Sequence, residues 1–161
     1  MGFMQGKRAL IMGVASNRSI AWGVAKAMHN QGAELAFTYQ GERLGERVKK
    51  FAREVDSDIV VPCDVSSDED ISNAAAAVAE SWDGLDVIVH AIAFAPREAI
   101  QGDFIEVVDR DSFKIAHDIS SYSLTGVCRA FKPHFRDNGS VVTLTYLGAL
   151  RVVPNYNVMG V

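Results

Sequence analysis

The amino-acid sequence predicts an α/β protein built on a parallel sheet with helices on both faces. Two observations predict this fold. Short apolar runs that favour strands alternate with longer segments of helical period, and the connections between them are short. The runs are apolar throughout instead of alternating with polar residues, which is typical of parallel strands covered on both sides.

The apolar runs place five strands, and the elements follow the order βαβαβαβαβ. The strands are expected at Arg8–Met12, Glu34–Tyr39, residues 58–62, Leu85–His90 and residues 141–145, the last one buried and ending at Tyr146. Right-handed crossovers then give the strand order 3-2-1-4-5. This is a Rossmann-type doubly wound sheet, truncated after about five strands. Residues 1–161 are expected to form one dinucleotide-binding domain that is incomplete on its C-terminal side.

The helices follow from apolar spacing and end signals. The first helix runs from Ser19 to a stop at Gly32, and one face is expected to carry Ile20, Val24, Ala27 and Met28. Residues 41–55 predict a charged amphipathic helix, and a third helix, capped by Ser66 or Ser67, runs to Trp82. Residues 112–131 predict one long helix, and residues 101–110 have room for a short one.

The bulk composition excludes several classes of function. The net charge of −4 argues against a nucleic-acid-binding protein. The two cysteines, Cys63 and Cys128, lie far apart and predict neither a disulfide framework nor a metal site. The first residues lack the features of a signal peptide, and no apolar run approaches the roughly 20 residues of a membrane span. A cytoplasmic location is expected.

The turn after the first strand has the features of a phosphate cradle. Gly13 allows a tight exit from the strand, and Ser19 can cap the next helix and donate to a phosphate. Ala21 and Gly23 are small where the helix must approach the sheet or a cofactor. There is no GxGxxG motif, and an ordinary strand-to-helix turn with a serine cap accounts for the same residues.

The ends of the next two strands carry polar residues suited to an adenosine. Gln40 can bond a ribose hydroxyl where many dinucleotide folds have an acid, which favours NADH over NADPH. Arg43 could instead favour a 2′-phosphate, or could simply be solvated. Asp64, followed by Val65, could accept from the adenine amino group or could cap its own loop.

A loop of small residues follows the fourth strand. Ala91, Ile92 and Ala93 are expected to lie under the ribose and nicotinamide, where their size lets a cofactor sit close. A tightly packed loop would need the same residues.

Two tyrosines ten positions apart, Tyr146 and Tyr156, follow the last strand, and Tyr156 is expected to open the next helix. In an open α/β sheet the carboxyl ends of the strands form the rim where ligands bind. Phenols there are protonated at neutral pH and can stabilise an oxygen that gains negative charge. A lone tyrosine would be assigned to packing, but two of them after three nucleotide-type loops favour a site.

Three motifs carry a resemblance to a known family. They are Ser19-Ile-Ala-x-Gly23 after Gly13, FKIAHDISSYS over residues 113–123, and YLGAxRxxPNYNVMG over residues 146–160. Together they resemble the bacterial NADH-dependent enoyl-[acyl-carrier-protein] reductases, an atypical branch of the short-chain dehydrogenase/reductases. The resemblance covers the whole chain.

The resemblance implies an oxidoreductase of fatty acid biosynthesis. The family reduces a trans-2-enoyl thioester on acyl carrier protein with hydride from NADH, and it is a homotetramer and an inhibitor target. The residue matching Tyr156 donates to the enolate oxygen, and the one matching Tyr146 belongs to the same catalytic site. Cofactor contacts are implied for Gly13, Ser19, Ile20, Gln40, Asp64, Val65 and Ile92, and substrate contacts for Ala95 and Met159.

The chain departs from the family pattern at two points. Ala93 stands where the family commonly has glycine, so one methyl group could narrow the pocket and alter inhibitor fit. The family's lysine lies seven positions after the second tyrosine, which is two positions beyond residue 161. An inactive NAD-binding fragment and a carbonyl-reducing short-chain dehydrogenase therefore remain as alternatives. Poor solubility of the isolated chain is expected, because absent strands would leave an exposed sheet edge.

Overall fold

A computed structural model describes residues 2–161 of the chain. Its strands are β1 (Arg8–Met12), β2 (Glu34–Tyr39), β3 (Ile59–Pro62), β4 (Leu85–His90) and β5 (Phe135–Thr143). Its α-helices are α1 (Ile20–Asn30), α2 (Gly41–Arg53), α3 (Asp68–Ser81), α4 (Phe104–Val107), α5 (Arg110–His117) and α6 (Ser123–Phe131). Short 3₁₀ turns occupy Arg97–Ile100, Lys132–His134, Leu147–Ala149 and Asn157–Gly160.

The strands form one parallel sheet in the order β3-β2-β1-β4-β5, which confirms the predicted topology. β1 lies at the centre, and its residues Ala9 to Met12 are fully buried. Their apolar side chains are covered on both faces, as the sequence pattern predicts for a doubly wound sheet. Trp22 of α1 packs its ring against Phe37 of β2 and Phe51 of α2 in the core on one side.

The prediction of a buried last strand is wrong. β5 begins at Phe135, earlier than expected, and ends at Thr143. It pairs only with β4 among the described residues, so it is the edge strand of the sheet. Val141 and Val142 are 40% and 47% exposed. Their β-branched chemistry favours a strand but does not determine whether anything covers it.

The predicted apolar face of the first helix is also displaced. α1 buries Ala21, Trp22 and Ala25, whereas Ile20 is 67% exposed. The helix does end as predicted, because Gly32 follows it with a φ of +93°. The displacement leaves an apolar side chain at the exposed start of the helix, beside the predicted phosphate cradle.

The long helix expected over residues 112–131 is divided in the structure. α5 begins earlier, at Arg110, because Asp109 and Ser112 cap each other's backbone N–H groups in a capping box. A π-helical turn at Asp118–Tyr122 then separates α5 from α6. The cap of α3 follows expectation, since the Ser67 side chain accepts from the Asp70 N–H.

An ionic cluster ties the amino ends of the strands together. Asp86 of β4 is buried, with its side chain 6% exposed, and accepts from the Arg8 backbone N–H at 2.9 Å. Lys7 at 2.9 Å and Arg136 at 3.3 Å pair with the same carboxylate. Asp83 bridges the guanidinium groups of Arg8 and Arg136. The cluster therefore joins β1, β4 and β5 at the end of the sheet opposite the predicted ligand rim.

The chain divides into two compact units. The sheet unit contains the chain up to Ala91 together with Gly126–Thr143, and the tyrosine unit contains Ile92–Thr125 and Leu144–Val161. The tyrosine unit has a small core of its own, in which Ala99, Ala116 and Val158 are buried. The expectation of a single domain over residues 1–161 stays a prediction. Over residues 2–161 no helix is both long and apolar enough to span a membrane.

Candidate functional site

The strand-to-helix turn of the sheet unit is built around Gly13. Its φ is +98°, and a Cβ there would overlap the carbonyl oxygen of Ala91. An L-residue would therefore be strained in its backbone and would also collide with the loop after β4. Gly13 lets the two loops at the ends of β1 and β4 approach each other closely, which agrees with the role predicted for it.

Ser19 shapes the cradle loop in a way that the sequence did not indicate. It stands at the N-cap position of α1, but its side chain makes no capping bond to that helix. Its hydroxyl oxygen instead accepts from the backbone N–H groups of Ala15 at 3.0 Å and Ser16 at 2.9 Å. The prediction that Ser19 caps the helix is wrong, because the loop folds back toward it. The hydroxyl proton is left to be donated elsewhere.

The first turn of α1 fits an anion. In the part of the chain that the structure describes, the backbone N–H groups of Ile20 and Ala21 have no protein acceptor. Unpaired N–H groups at a helix start attract a phosphate, and the Ser19 hydroxyl lies at the same turn. A Cβ at Gly23 would face open space, so close packing of α1 against the sheet does not require a glycine there. The residues of this turn thus fit the pyrophosphate of a dinucleotide.

The two residues predicted for the adenosine end lie side by side. The Gln40 amide nitrogen donates to a carboxylate oxygen of Asp64 at 2.7 Å. The other Asp64 oxygen accepts from the Ser66 N–H at 2.9 Å and from the Ser66 hydroxyl at 2.7 Å. Bonds from Ser66, and then from Gln40, lower the pKa of Asp64, so the carboxylate stays ionised. Asp64 therefore caps its loop, and both residues share one edge of the sheet unit.

The remaining predicted cofactor residues differ in exposure. Val65 is buried, so the part of it that can face a ligand is its backbone. Ile92 is half-buried and Ala93 is exposed, and both belong to the tyrosine unit. In that unit the next residue, Phe94, exchanges backbone hydrogen bonds with the Ser120 hydroxyl at 3.0 and 3.1 Å. The loop after β4 is thus held to the π-helical turn.

The structure brings the two tyrosines into contact. The ring centroids of Tyr146 and Tyr156 are 4.3 Å apart, with the planes tilted by 39°. The Tyr146 hydroxyl is buried without a hydrogen-bond partner among the described residues and packs against Gly148. A Cβ at Gly148 would overlap that hydroxyl, so the glycine makes room for the ring. Sequence reasoning missed Gly148, although its place two residues after a tyrosine was the available signal.

The hydroxyls of the two tyrosines are in different environments. Desolvation, and to a smaller extent the nearby Tyr156, raise the pKa of Tyr146, so its phenol stays protonated. Tyr156 is 43% exposed and lines the cleft described next. The pair thus presents one accessible phenol supported by one enclosed phenol.

A largely apolar cleft of about 440 Å³ opens beside the tyrosines within the tyrosine unit. Aromatic and aliphatic side chains supply most of its lining, and Arg151 and Asn157 add polar groups: Phe104, Tyr146, Gly148, Ala149, Leu150, Arg151, Val152, Val153, Tyr156, Asn157, Gly160 and Val161. The turn Asn157–Gly160 borders it in place of the helix expected at Tyr156, and the Asn157 amide anchors that turn to the Gly102 carbonyl at 3.2 Å. The predicted substrate residues Ala95 and Met159 are half-buried in the same unit, but neither lines the cleft.

Neither the Cys63 thiol nor a metal centre among the described residues competes with this assignment. Burial, and then the carboxylates of Asp70 and Asp64, raise the pKa of Cys63 to about 12, so its thiol is not a nucleophile at neutral pH. Within residues 2–161 no group of three or more His, Cys, Asp or Glu side chains could hold a metal ion.

Comparison with known proteins identifies the family. A family model described as enoyl-(acyl carrier protein) reductase matches residues 13–161. The chain belongs to this enoyl reductase family. The match includes the cradle, the Gln40–Asp64 pair and both tyrosines.

Individual enoyl reductases agree closely with the chain over the part that they share. The enoyl-[acyl-carrier-protein] reductase [NADH] FabI of Neisseria meningitidis is 54% identical over 161 residues, which is 99% of this chain and 62% of that protein. The solved structure of the NADH enzyme from Aquifex aeolicus superposes with a TM-score of 0.96 at 53% identity, covering 99% of this chain and 63% of that one. An enoyl-acyl carrier protein reductase from Bacillus cereus, solved with NADP+ and an indole naphthyridinone, gives a TM-score of 0.96 at 44% identity, covering 99% and 63%. The chain therefore spans about three fifths of the length of these relatives.

Proposed function

We propose that this chain, extended to the length of its relatives, is an NADH-dependent enoyl-[acyl-carrier-protein] reductase. The single observation that carries the proposal is the contact between Tyr146 and Tyr156 beside an apolar cleft. An apolar cleft suits an acyl chain, and a phenol at its edge suits a thioester oxygen that gains charge. Membership of the enoyl reductase family supports the same reaction.

NADH fits the residues of the cradle. Its pyrophosphate would be held by the Ile20 and Ala21 N–H groups and the Ser19 hydroxyl, with Gly13 keeping the turn open. Gln40 and Asp64 would hold the adenosine, Val65 would contact it through its backbone, and Ile92 would lie at the nicotinamide end. When bound, NADH supplies the hydride that adds to the β-carbon of the enoyl thioester.

The two tyrosines would have different roles in the reaction. Addition of hydride at the β-carbon moves an electron pair to the thioester oxygen, and the Tyr156 hydroxyl would donate to that oxygen. Tyr146 would hold the Tyr156 ring in position through the ring contact and would keep water from one side of it. The acyl part of the substrate would lie in the apolar cleft, and the contacts that the resemblance implies for Ala95 and Met159 would lie outside it.

The choice of NADH over NADPH rests on the end of β2. Gln40 there is a neutral side chain that is already bonded to the Asp64 carboxylate. A carboxylate beside the ribose would repel a 2′-phosphate. Arg43 is exposed and makes no ion pair within the described residues. Its guanidinium could therefore bind the 2′-phosphate of NADPH, which is the alternative cofactor.

The test uses the protein extended to the length of its relatives. Rapid oxidation of NADH with a crotonyl or longer enoyl thioester is expected, and none with simple ketones. Activity on ketones without activity on enoyl thioesters would replace the proposal with a carbonyl-reducing dehydrogenase. Calorimetric titration of the 161-residue chain with NADH addresses the remaining candidate, since binding without turnover would identify it as an inactive NAD-binding fragment.

The partners and location follow from the same proposal. Acyl carrier protein would deliver the enoyl thioester, and the complete protein would act as a cytoplasmic homotetramer. Sedimentation of the extended protein checks the tetramer, and a monomer at micromolar concentration would contradict it.

A further inference from the structure

Both backbone groups of Ala15, in the middle of the cradle loop, are held by side chains. Its N–H donates to the Ser19 hydroxyl oxygen at 3.0 Å. Its carbonyl accepts from a guanidinium nitrogen of Arg47 at 2.8 Å. Arg47 lies in the middle of α2, 32 positions further along the chain. The loop has no regular secondary structure at this point, so these two side-chain contacts hold backbone groups that no helix or strand pairs.

The contact leaves the charge of Arg47 uncompensated. The Ala15 carbonyl is neutral and uses only one of the five N–H donors of the guanidinium. Within residues 2–161 Arg47 makes no ion pair. The positive charge of Arg47 is therefore one hydrogen bond away from the cradle loop. The first turn of α1 follows that loop and has free backbone N–H donors at Ile20 and Ala21.

We propose that Arg47 is a positioning residue for the phosphate cradle. It fixes the Ala15 carbonyl, while the Ser19 hydroxyl accepts from the Ala15 and Ser16 N–H groups, a pair of bonds that we call the Ser19 staple. Together these contacts keep the start of α1 open toward a pyrophosphate. Its charge also attracts that anion. The inference rests on the proposed function, because it takes the ligand of the cradle to be a dinucleotide. Arg47 acts through Ala15, so no direct contact with the ligand is required.

Three variants of the extended protein separate this role from a purely structural tie. Arg47→Gln removes the charge, and Arg47→Lys keeps the charge but replaces the planar guanidinium. The matched control is Arg53→Gln, which removes an exposed charge from the same helix roughly 9 Å further along it. Arg53 makes no ion pair within the described residues, so the control removes the same charge without removing a contact to the cradle loop.

The first measurement is hydrogen exchange of residues 13–19 without ligand, and the second is the Kd for NADH at several salt concentrations. We expect Arg47→Gln to accelerate exchange at Ala15 and Ser16 and to raise the Kd about five- to tenfold. Its Kd should also depend less on salt, because one screened attraction is gone. Arg47→Lys should fall between this variant and wild type, and Arg53→Gln should match wild type.

The outcomes distinguish this inference from the proposed function. An unchanged Kd in Arg47→Gln, with wild-type NADH binding intact, would overturn the inference alone, even if exchange became faster. An equal effect of Arg53→Gln would overturn it as well, since net charge would then explain the result. If the wild-type protein binds no NADH, the proposed function fails and this inference fails with it.

Discussion

Tyr146 and Tyr156 lie in ring contact, with centroids 4.3 Å apart, and differ in how their hydroxyls are placed. The Tyr146 hydroxyl is enclosed against Gly148 without a partner in the described chain, whereas Tyr156 lines the cleft. The contact makes the position of the accessible phenol depend on the enclosed one.

Replacing Tyr156 with phenylalanine is expected to reduce kcat of the extended protein about 10²- to 10³-fold, because one donor to the developing oxyanion is lost. KM should change little, since the ring remains in the cleft. Steady-state oxidation of NADH with a crotonyl thioester measures both. A loss confined to KM would show that the hydroxyl binds the substrate and the transition state equally well.

Replacing Tyr146 with phenylalanine should leave the free energy of unfolding unchanged or raise it by about 1 kcal/mol, because a buried hydroxyl without a partner is removed. Tyr146→Ala should be destabilising, since the ring contact with Tyr156 is lost. Urea unfolding followed by near-ultraviolet circular dichroism compares the two. Marked destabilisation by the phenylalanine variant would show that the hydroxyl has a partner in solution.

Gly13→Ala is expected to destabilise the sheet unit by about 2–4 kcal/mol, since it combines a strained positive φ with overlap on the Ala91 carbonyl. Gly23→Ala is the matched control. Gly23 is helical, faces open space and should tolerate alanine or gain slightly from it. Urea unfolding followed by tryptophan fluorescence reports on this unit, because Trp22 and Trp82 both belong to it. Equal midpoints for the two variants would contradict the packing seen at Gly13.

His90 is expected to make stability fall as the pH drops. It is buried at the end of β4, and desolvation lowers its pKa below the ordinary 6.5. A depressed pKa means that the unfolded chain takes up the proton first. The stabilisation is therefore complete above about pH 6.5 and is lost as the pH falls toward the folded-state value. Urea unfolding between pH 8 and pH 5 should show the decline, and His90→Asn should flatten it in that range. An equally steep decline in His90→Asn would assign it to other groups.

Asp86→Asn should cost about 2–3 kcal/mol, because Lys7 and Arg136 would lose a carboxylate partner that is almost completely buried. Burial acts most strongly on this carboxyl and would raise its pKa, but the Arg8 N–H, Lys7 and Arg136 together hold the pKa below its usual range. The matched control is Asp83→Asn, whose carboxylate is exposed and should matter much less. Thermal unfolding at low and high salt measures both, and a larger loss from Asp83→Asn would contradict the assignment.

The sequence was sufficient for the order of the sheet, because short apolar runs between amphipathic helices leave few topologies once crossovers are right-handed. It was not sufficient for Val141 and Val142, since the pattern of a strand does not reveal whether a neighbour covers it. Ile20 was assigned to the wrong side of α1, because the buried face begins one residue later, at Ala21 and Trp22.

The candidate site, like the fold, could be predicted from the sequence only in part. The positions of Gly13, Gln40, Asp64 and the tyrosines along the chain could be read from strand ends and motifs. The Ser19 staple and the Arg47 contact could not, because they depend on how a loop folds back and on which face of α2 meets it. Neither a local bond within an irregular loop nor a bond between residues distant in sequence leaves a periodic signal.

The ionic cluster at the amino ends of β1, β4 and β5 has a consequence for how this protein can vary. Along β1 the cluster and the cradle are separated by roughly 13 Å, four residue steps of about 3.3 Å, which exceeds the Debye length of about 8 Å at physiological salt. Charge changes at the solvent-exposed members of the cluster, Lys7 and Asp83, should therefore shift thermal tolerance while leaving the attraction for an anionic ligand nearly untouched. The two ends of the same strands can be altered independently, one for durability and the other for ligand choice.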